Sequence, residues 1–184
     1  MAELKVLAAQ CDAVLAVAGE PVSVEALRSL AGEGVGKEQI LEALALLQAR
    51  YSGEDSGLVL EEVGGGWRLA TRPELDGVIR EFLGARSRSK LSQAGLETLA
   101  IVAYRQPITL AEISYLRGVN SAGVVRTLLD RKLLRVAGRK QVVGTPLLYR
   151  TTKDFLIHFG LTDLAALPSP EEAAEVGGGG PVDS

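Results

Sequence analysis

Reactive side chains are scarce in this chain of 184 residues, which contains one histidine, His158, and one cysteine, Cys11. A lone histidine forms neither a zinc cluster nor a two-histidine proton relay. Cys11 falls in an apolar helical stripe with Leu4, Leu7, Ala8, Val14 and Leu15, a setting in which a thiol packs rather than attacks. One cysteine also allows no internal disulfide and no thiolate cage, which fits a reducing cytoplasm. The stretch "GEGVGKE" (Gly32–Glu38) has the outline of a phosphate-cradling loop. That loop needs glycine six positions before its lysine, where Ala31 stands, and a Ser/Thr for Mg²⁺, where Glu38 stands. It reads instead as a helix–helix loop, with Gly64–Gly66 as a hairpin turn and Gly177–Gly180 as part of a tail. No catalytic residue, metal ligand or cofactor is expected, so the chemistry left to this chain is binding.

The binding groups with the sharpest pattern are cations. "NSAGVVRTLLDRK" offers Ser121, Arg126, Arg131 and Lys132 on a helix, and Arg139 and Lys140 follow in a basic loop. Arg126, Arg139 and Lys140 are candidate nucleic-acid contacts, since such cations neutralise phosphates. No Arg/Asn/Gln group is dense enough to read base edges. A solvated basic face, or one that meets an acidic partner, fits equally well. Charge divides the chain sharply: residues 1–84 carry net −7, residues 85–167 net +8 and residues 168–184 net −4. A chain divided this way is expected to have two units with different partners, or partners of opposite sign.

Caps and breaks mark the elements that carry these groups. The first half reads as a helix over about 3–18, a turn at Gly19-Glu20-Pro21, and a short helix capped by Ser23. A helix over about 37–50 follows, then strands "GLVLEEV" and "WRLAT", and a closing helix "PELDGVIREFLG" opened by Pro73. The second half repeats this order. Ser92 caps a helix to Arg105, Thr109 caps one to about Leu116, and Asn120 or Ser121 caps one to about Lys132. "LLRVAG" and "PLLYRT" are strands, and "TTKDFLIHFG" is a closing helix. "LAVAGEPVSVEALRSLAG" (Leu15–Gly32) lies over "IVAYRQPITLAEISYLRG" (Ile101–Gly118) without a gap when Pro21 is set on Pro107. Three helices and a hairpin make a winged helix-turn-helix. The expected fold is therefore mainly α with small β-hairpins (α+β), as two tandem winged-helix domains over 1–84 and 91–167. The polar joint Gly84–Lys90 should be exposed, and the tail 168–184 disordered.

Hydrophobic residues make up 47% of the chain and aromatics 4%, so its cores should be Leu, Val, Ile and Ala. No apolar run reaches the roughly 18–20 residues of a bilayer span. Glu3, Gln10 and Asp12 interrupt the one stretch that resembles a signal peptide.

The two first helices carry more apolar surface than one core uses. Leu4, Leu7, Ala8, Cys11, Val14, Leu15 and Ala18 form one stripe, while Val6, Ala9, Ala13 and Val17 form a second on the opposite side. Either the closing helix of the same domain or a second copy of the chain covers that second stripe. In the other half, Leu96, Leu99, Ala100 and Ala103 are expected to point inward. Ile101 and Tyr104, among Glu97, Thr98 and Arg105, make a candidate partner-docking spot.

The pieces "LETLAIVAYRQPIT", "RGVNS", "RTLLDRKLL", "GRK" and "PLLYRTT" run in order through Leu91–Leu161. In order and spacing they resemble the bacterial segregation and condensation protein B family, and "GGGWRLATRPEL" extends the likeness into the first half. The resemblance covers about Leu4 to Leu167. It implies a non-enzymatic, cytoplasmic, nucleoid-associated homodimer of winged-helix chains, joined largely through the N-terminal domains. It further implies binding to the kleisin subunit, segregation and condensation protein A, and through it to the SMC ATPase that compacts and separates chromosomes. DNA would be met indirectly or weakly, and no membrane is involved. The rival reading is a tandem winged-helix DNA-binding transcriptional regulator. The candidate dimer residues are Val6, Ala9, Ala13 and Val17; the candidate partner residues are Ile101, Tyr104 and Arg105.

Overall fold

The computed structural model describes residues 2–83, 91–169 and 172, so the joint at Gly84–Lys90 and most of the tail 168–184 lie outside the described residues. The first unit runs α1 (Ala2–Val17), α2 (Val24–Ala31), α3 (Lys37–Tyr51), β1 (Leu58–Val63), β2 (Gly66–Thr71), a 3-10 turn at Pro73–Leu75 and α4 (Asp76–Phe82). The second runs α5 (Gln93–Arg105), β3 (Ile108–Thr109), α6 (Leu110–Arg117), α7 (Ala122–Asp130), β4 (Leu134–Arg139), β5 (Leu147–Thr151), α8 (Lys153–Phe159) and a 3-10 turn at Leu164–Ala166. Each unit is a winged helix with its own core. Leu7, Ala8, Cys11, Leu27, Ile40, Leu44, Leu47, Leu60 and Trp67 meet in the first. Leu99, Val102, Ile113, Val125, Leu128, Leu134, Tyr149 and Phe155 meet in the second.

The duplication is visible in the chemistry of the helix starts. Ser23 accepts from the Ala26 N–H at 3.2 Å and opens α2. Thr109, 86 residues on, accepts from the Glu112 N–H at 3.3 Å and opens α6, while Glu112 accepts from the Thr109 N–H at 2.9 Å. These caps satisfy amides that a helix start otherwise leaves bare. In each unit the residue after the proline also ties the wing to the helices. Val22 and Trp67 exchange two backbone hydrogen bonds of 2.8 Å, and Ile108 pairs with Tyr149 to give the order β3-β5-β4. At α7 the side-chain cap comes from Asn120, whose Oδ1 accepts from the Ala122 N–H at 3.0 Å.

The gapless repeat fails inside the first helices. Leu27 and Ile113 are both buried in α2 and α6, in register at 86. In α1 the buried positions are Leu7, Ala8, Cys11 and Leu15; in α5 they are Gly95, Thr98, Leu99, Val102 and Ala103. Cys11 and Leu15 thus correspond to Leu99 and Ala103, 88 residues on, and the helix ends Val17 and Arg105 are separated likewise. The turn before Pro21 is two residues longer than the turn before Pro107.

The inward face of α5 also differs from expectation. Leu96 and Ala100 are exposed, while Thr98 is wholly buried beside Gly95. Positions 95, 98, 99, 102 and 103 follow helical spacing. Thr98 tolerates the interior because its hydroxyl donates to the Ala94 carbonyl at 2.8 Å.

β1 and β2 pair from Leu58↔Thr71 to Val63↔Gly66, leaving a two-residue turn at Gly64-Gly65. Both turn residues have positive φ (+59° and +72°), the geometry that matches strand twist and favours glycine. Their amides donate to the second unit: Gly64 N–H to the Leu161 carbonyl at 2.8 Å and Gly65 N–H to the Thr162 carbonyl at 3.0 Å. Lys153 Nζ reaches the Pro21 carbonyl at 3.4 Å beside them.

Candidate docking surfaces

On α1 the inner stripe faces α3, and the helix is fixed in rotation by Asp12. Its carboxylate accepts from Arg50 Nη1 at 2.8 Å and from the Tyr51 hydroxyl at 2.7 Å. The bond to Asp12, aided by burial, pushes the Tyr51 phenol above its ordinary range. Burial likewise raises the Cys11 thiol, which keeps it protonated and inert. With α1 held this way, Val6, Ala9, Ala13 and Val17 all face solvent, Val6 at 59% and Val17 at 85% exposure. Among the described residues nothing covers this apolar face, and the closing helix α4 does not.

On α5, Ile101, Tyr104 and Arg105 share one side. Ile101 is half-buried against the second core, Tyr104 is 41% exposed, and Arg105 is exposed. Leu161 and Leu167, from the segment after α8, pack on the same core. The Tyr104 hydroxyl donates to the Pro168 carbonyl at 2.7 Å, so the ring is open while its polar tip is occupied.

The three cationic candidates are not assembled into one site. Arg126 is exposed on α7. Arg139 Nη1 donates to the Thr145 carbonyl at 3.0 Å within the wing. Lys140 Nζ donates to Glu112 Oε1 at 2.5 Å. Glu112 receives that charged bond together with the N–H and hydroxyl of Thr109, which hold its carboxyl at about 2 against an ordinary 4.5. Lys140 therefore ties the wing to the start of α6 and gives up much of its reach for phosphate.

A pair that sequence patterning missed lies on the same wing. Arg135 on β4 and Arg150 on β5 sit directly opposite each other, both exposed. Like charges across a strand pair repel. Only the strand register brings them together; nothing in their separate contexts marks them. Among the described residues no three His, Cys, Asp or Glu side chains are placed to hold a metal ion. No described helix is long and apolar enough to cross a membrane.

The family model for segregation and condensation complex subunit ScpB matches residues 9–170. A segregation and condensation protein B of Moorella thermoacetica is 43% identical over 183 residues, covering 96% of this chain and 92% of that protein. The one of Myxococcus xanthus is 42% identical over 165 residues, and the matched region spans about half (49%) of that longer relative. A crystal structure of a dimer of ScpB N-terminal domain complexed with ScpA peptide is 26% identical. It covers 44% of this chain and 98% of that one, with a TM-score of 0.40.

Proposed function

Because the chain belongs to the segregation and condensation complex subunit ScpB family, we propose that it is a non-catalytic assembly subunit of an SMC–kleisin complex that condenses and partitions chromosomes. The single observation that carries the reading is a family match over residues 9–170, which spans most of both units. The chain dimerises and binds the kleisin, segregation and condensation protein A, and through it the SMC ATPase. It acts in the cytoplasm, at the nucleoid.

The two units divide this work. Residues 1–84 self-associate through Val6, Ala9, Ala13 and Val17, an apolar face that a lone monomer would leave in water. Residues 91–167 dock the kleisin at Ile101, Tyr104 and Arg105, where an open aromatic ring stands beside a cation. Their net charge of +5 suits a partner helix flanked by acids. The regulator reading has less support, since Arg139 bonds within the wing and Lys140 bonds Glu112 on α6.

Calorimetric titration with purified segregation and condensation protein A tests the proposal. A stable complex is expected. Tyr104→Ala should weaken it about thirtyfold, as loss of an aromatic anchor does. Tyr104→Phe, which removes only the bond to Pro168, should bind as the parent does. Absence of any complex, with tight salt-resistant binding to one duplex sequence, would establish the regulator instead.

A further inference from the structure

The closing helices hold the same place in the two units and have opposite fates. "ATRPEL" in the first unit lies over "RTTKDF" in the second, which sets Leu75 on Phe155. Phe155 is 3% exposed in the second core, and its ring packs on Phe159 with centroids 5.0 Å apart. Leu75 is exposed, and no residue of α4 is buried. Yet α4 and its two flanking residues carry a full apolar stripe: Leu75, Val78, Ile79, Phe82 and Leu83 follow the i, i+3, i+4, i+7, i+8 spacing of a packed helix. Val78 is 64%, Phe82 85% and Leu83 63% exposed. A helix of seven residues does not hold its shape in water by propensity alone, so this face requires a partner.

We infer that α4 packs across the dimer, laying Val78, Phe82 and Leu83 on the Val6–Ala9–Ala13–Val17 face of the second copy's α1. This rests on the reading of that face as the self-association surface. Three observations select a second copy as the occupant. The α1 face is too small alone: two valines and two alanines offer on the order of 300 Å² of apolar surface, against about 800 Å² per partner in a stable interface. Its shape is complementary, with alanines at the centre and valines at the ends, so bulky side chains from α4 fill a shallow trough. Charge also agrees. Lys5, at one edge of the α1 face, has no ion pair among the described residues, and Glu74 and Glu81 line one edge of the α4 stripe. A two-fold axis uses both contacts twice, so each chain supplies one trough and one helix.

The test measures dimer dissociation by sedimentation for Phe82→Ser and Val17→Asp, with circular dichroism as the folding control. Both positions are exposed in the monomer, so both variants should keep the parent spectrum. Both should dissociate at least thirtyfold more readily. In addition, Ala9→Cys chains mixed with Phe82→Cys chains, each in a Cys11→Ser background, should form a mixed disulfide on mild oxidation. If Val17→Asp dissociates while Phe82→Ser stays a dimer, the α1 reading stands and the α4 inference fails. If neither dissociates, both fail. A Phe82→Ser dimer that no longer binds segregation and condensation protein A would assign α4 to the kleisin, and would equally overturn the inference.

Discussion

Glu112 concentrates three bonds on one carboxylate: from Lys140 Nζ, the Thr109 N–H at 2.9 Å and the Thr109 hydroxyl at 2.7 Å. One side chain thus joins a helix start to the wing, two parts of the fold 28 residues apart in sequence. The folded-state value near 2 lies below the ordinary 4.5. The stabilisation is therefore complete above the ordinary value, and it is lost as pH falls from about 4.5 toward about 2. Thermal melts from pH 6 to pH 2 should show a steeper acid loss for the parent than for Glu112→Gln, with the curves converging at the acid end. Parallel curves would mean that the exposed bond to Lys140 contributes nothing measurable, as many surface pairs do. The capping role of Thr109 was legible in "ITLAE". The Lys140 partnership was not, because a loop lysine gives no sign of which carboxylate it will meet.

At the scale of elements, each first helix has two apolar sides and must choose one for its own core. For α1 the choice matched the sequence: Leu7, Ala8, Cys11 and Leu15 went inside, and Asp12 locked the rotation through Arg50 and Tyr51. Since Val17 is already exposed, Val17→Asp should leave the unfolding free energy of the monomer within about 0.5 kcal/mol of the parent. It should shift the assembly to monomer at micromolar concentration, because a carboxylate buried in a dimer interface is costly. A dimeric Val17→Asp protein in the sedimentation run would remove this face from the interface. For α5 the choice was misread at Leu96 and Ala100. Burial there went to Gly95 and Thr98, small residues that let neighbouring elements approach closely, and hydrophobicity does not flag them.

For the whole molecule, the turn Gly64-Gly65 is the joint between the two units. A β-carbon on Gly64 would lie 3.0 Å from Ile157 Cγ1 and 3.3 Å from Lys153 Cγ, whereas one on Gly65 would meet nothing within 4 Å. Both positions have positive φ, so any substitution strains the turn, a β-branched one most. Gly64→Val should break the bonds to Leu161 and Thr162 and let the units separate, which small-angle scattering would read as a larger radius of gyration. Gly65→Ala should lower the melting temperature through strain alone and leave the scattering curve unchanged. An unchanged curve for Gly64→Val would show that the joint does not set the relation of the units.

The sequence by itself determined what is local. It held few reactive side chains, with His158 its one histidine and Cys11 its one cysteine, placed the caps Ser23 and Thr109 and the glycine turn, and separated an acidic half from a basic one. Those features act over one helical turn or by net charge, so they can be read without knowing what packs on what. Only the tertiary structure decided the relations between distant segments. It moved the register of the first helices from 86 to 88, because burial rather than letter matching defines equivalence. It set Arg135 against Arg150, gave the Tyr104 hydroxyl to Pro168, and seated the Gly64 turn on Leu161. It also left α4 uncovered where α8 is packed, although both helices carry an apolar stripe. Periodicity shows that a face needs burial; the arrangement of the whole chain determines whether its own core can supply it.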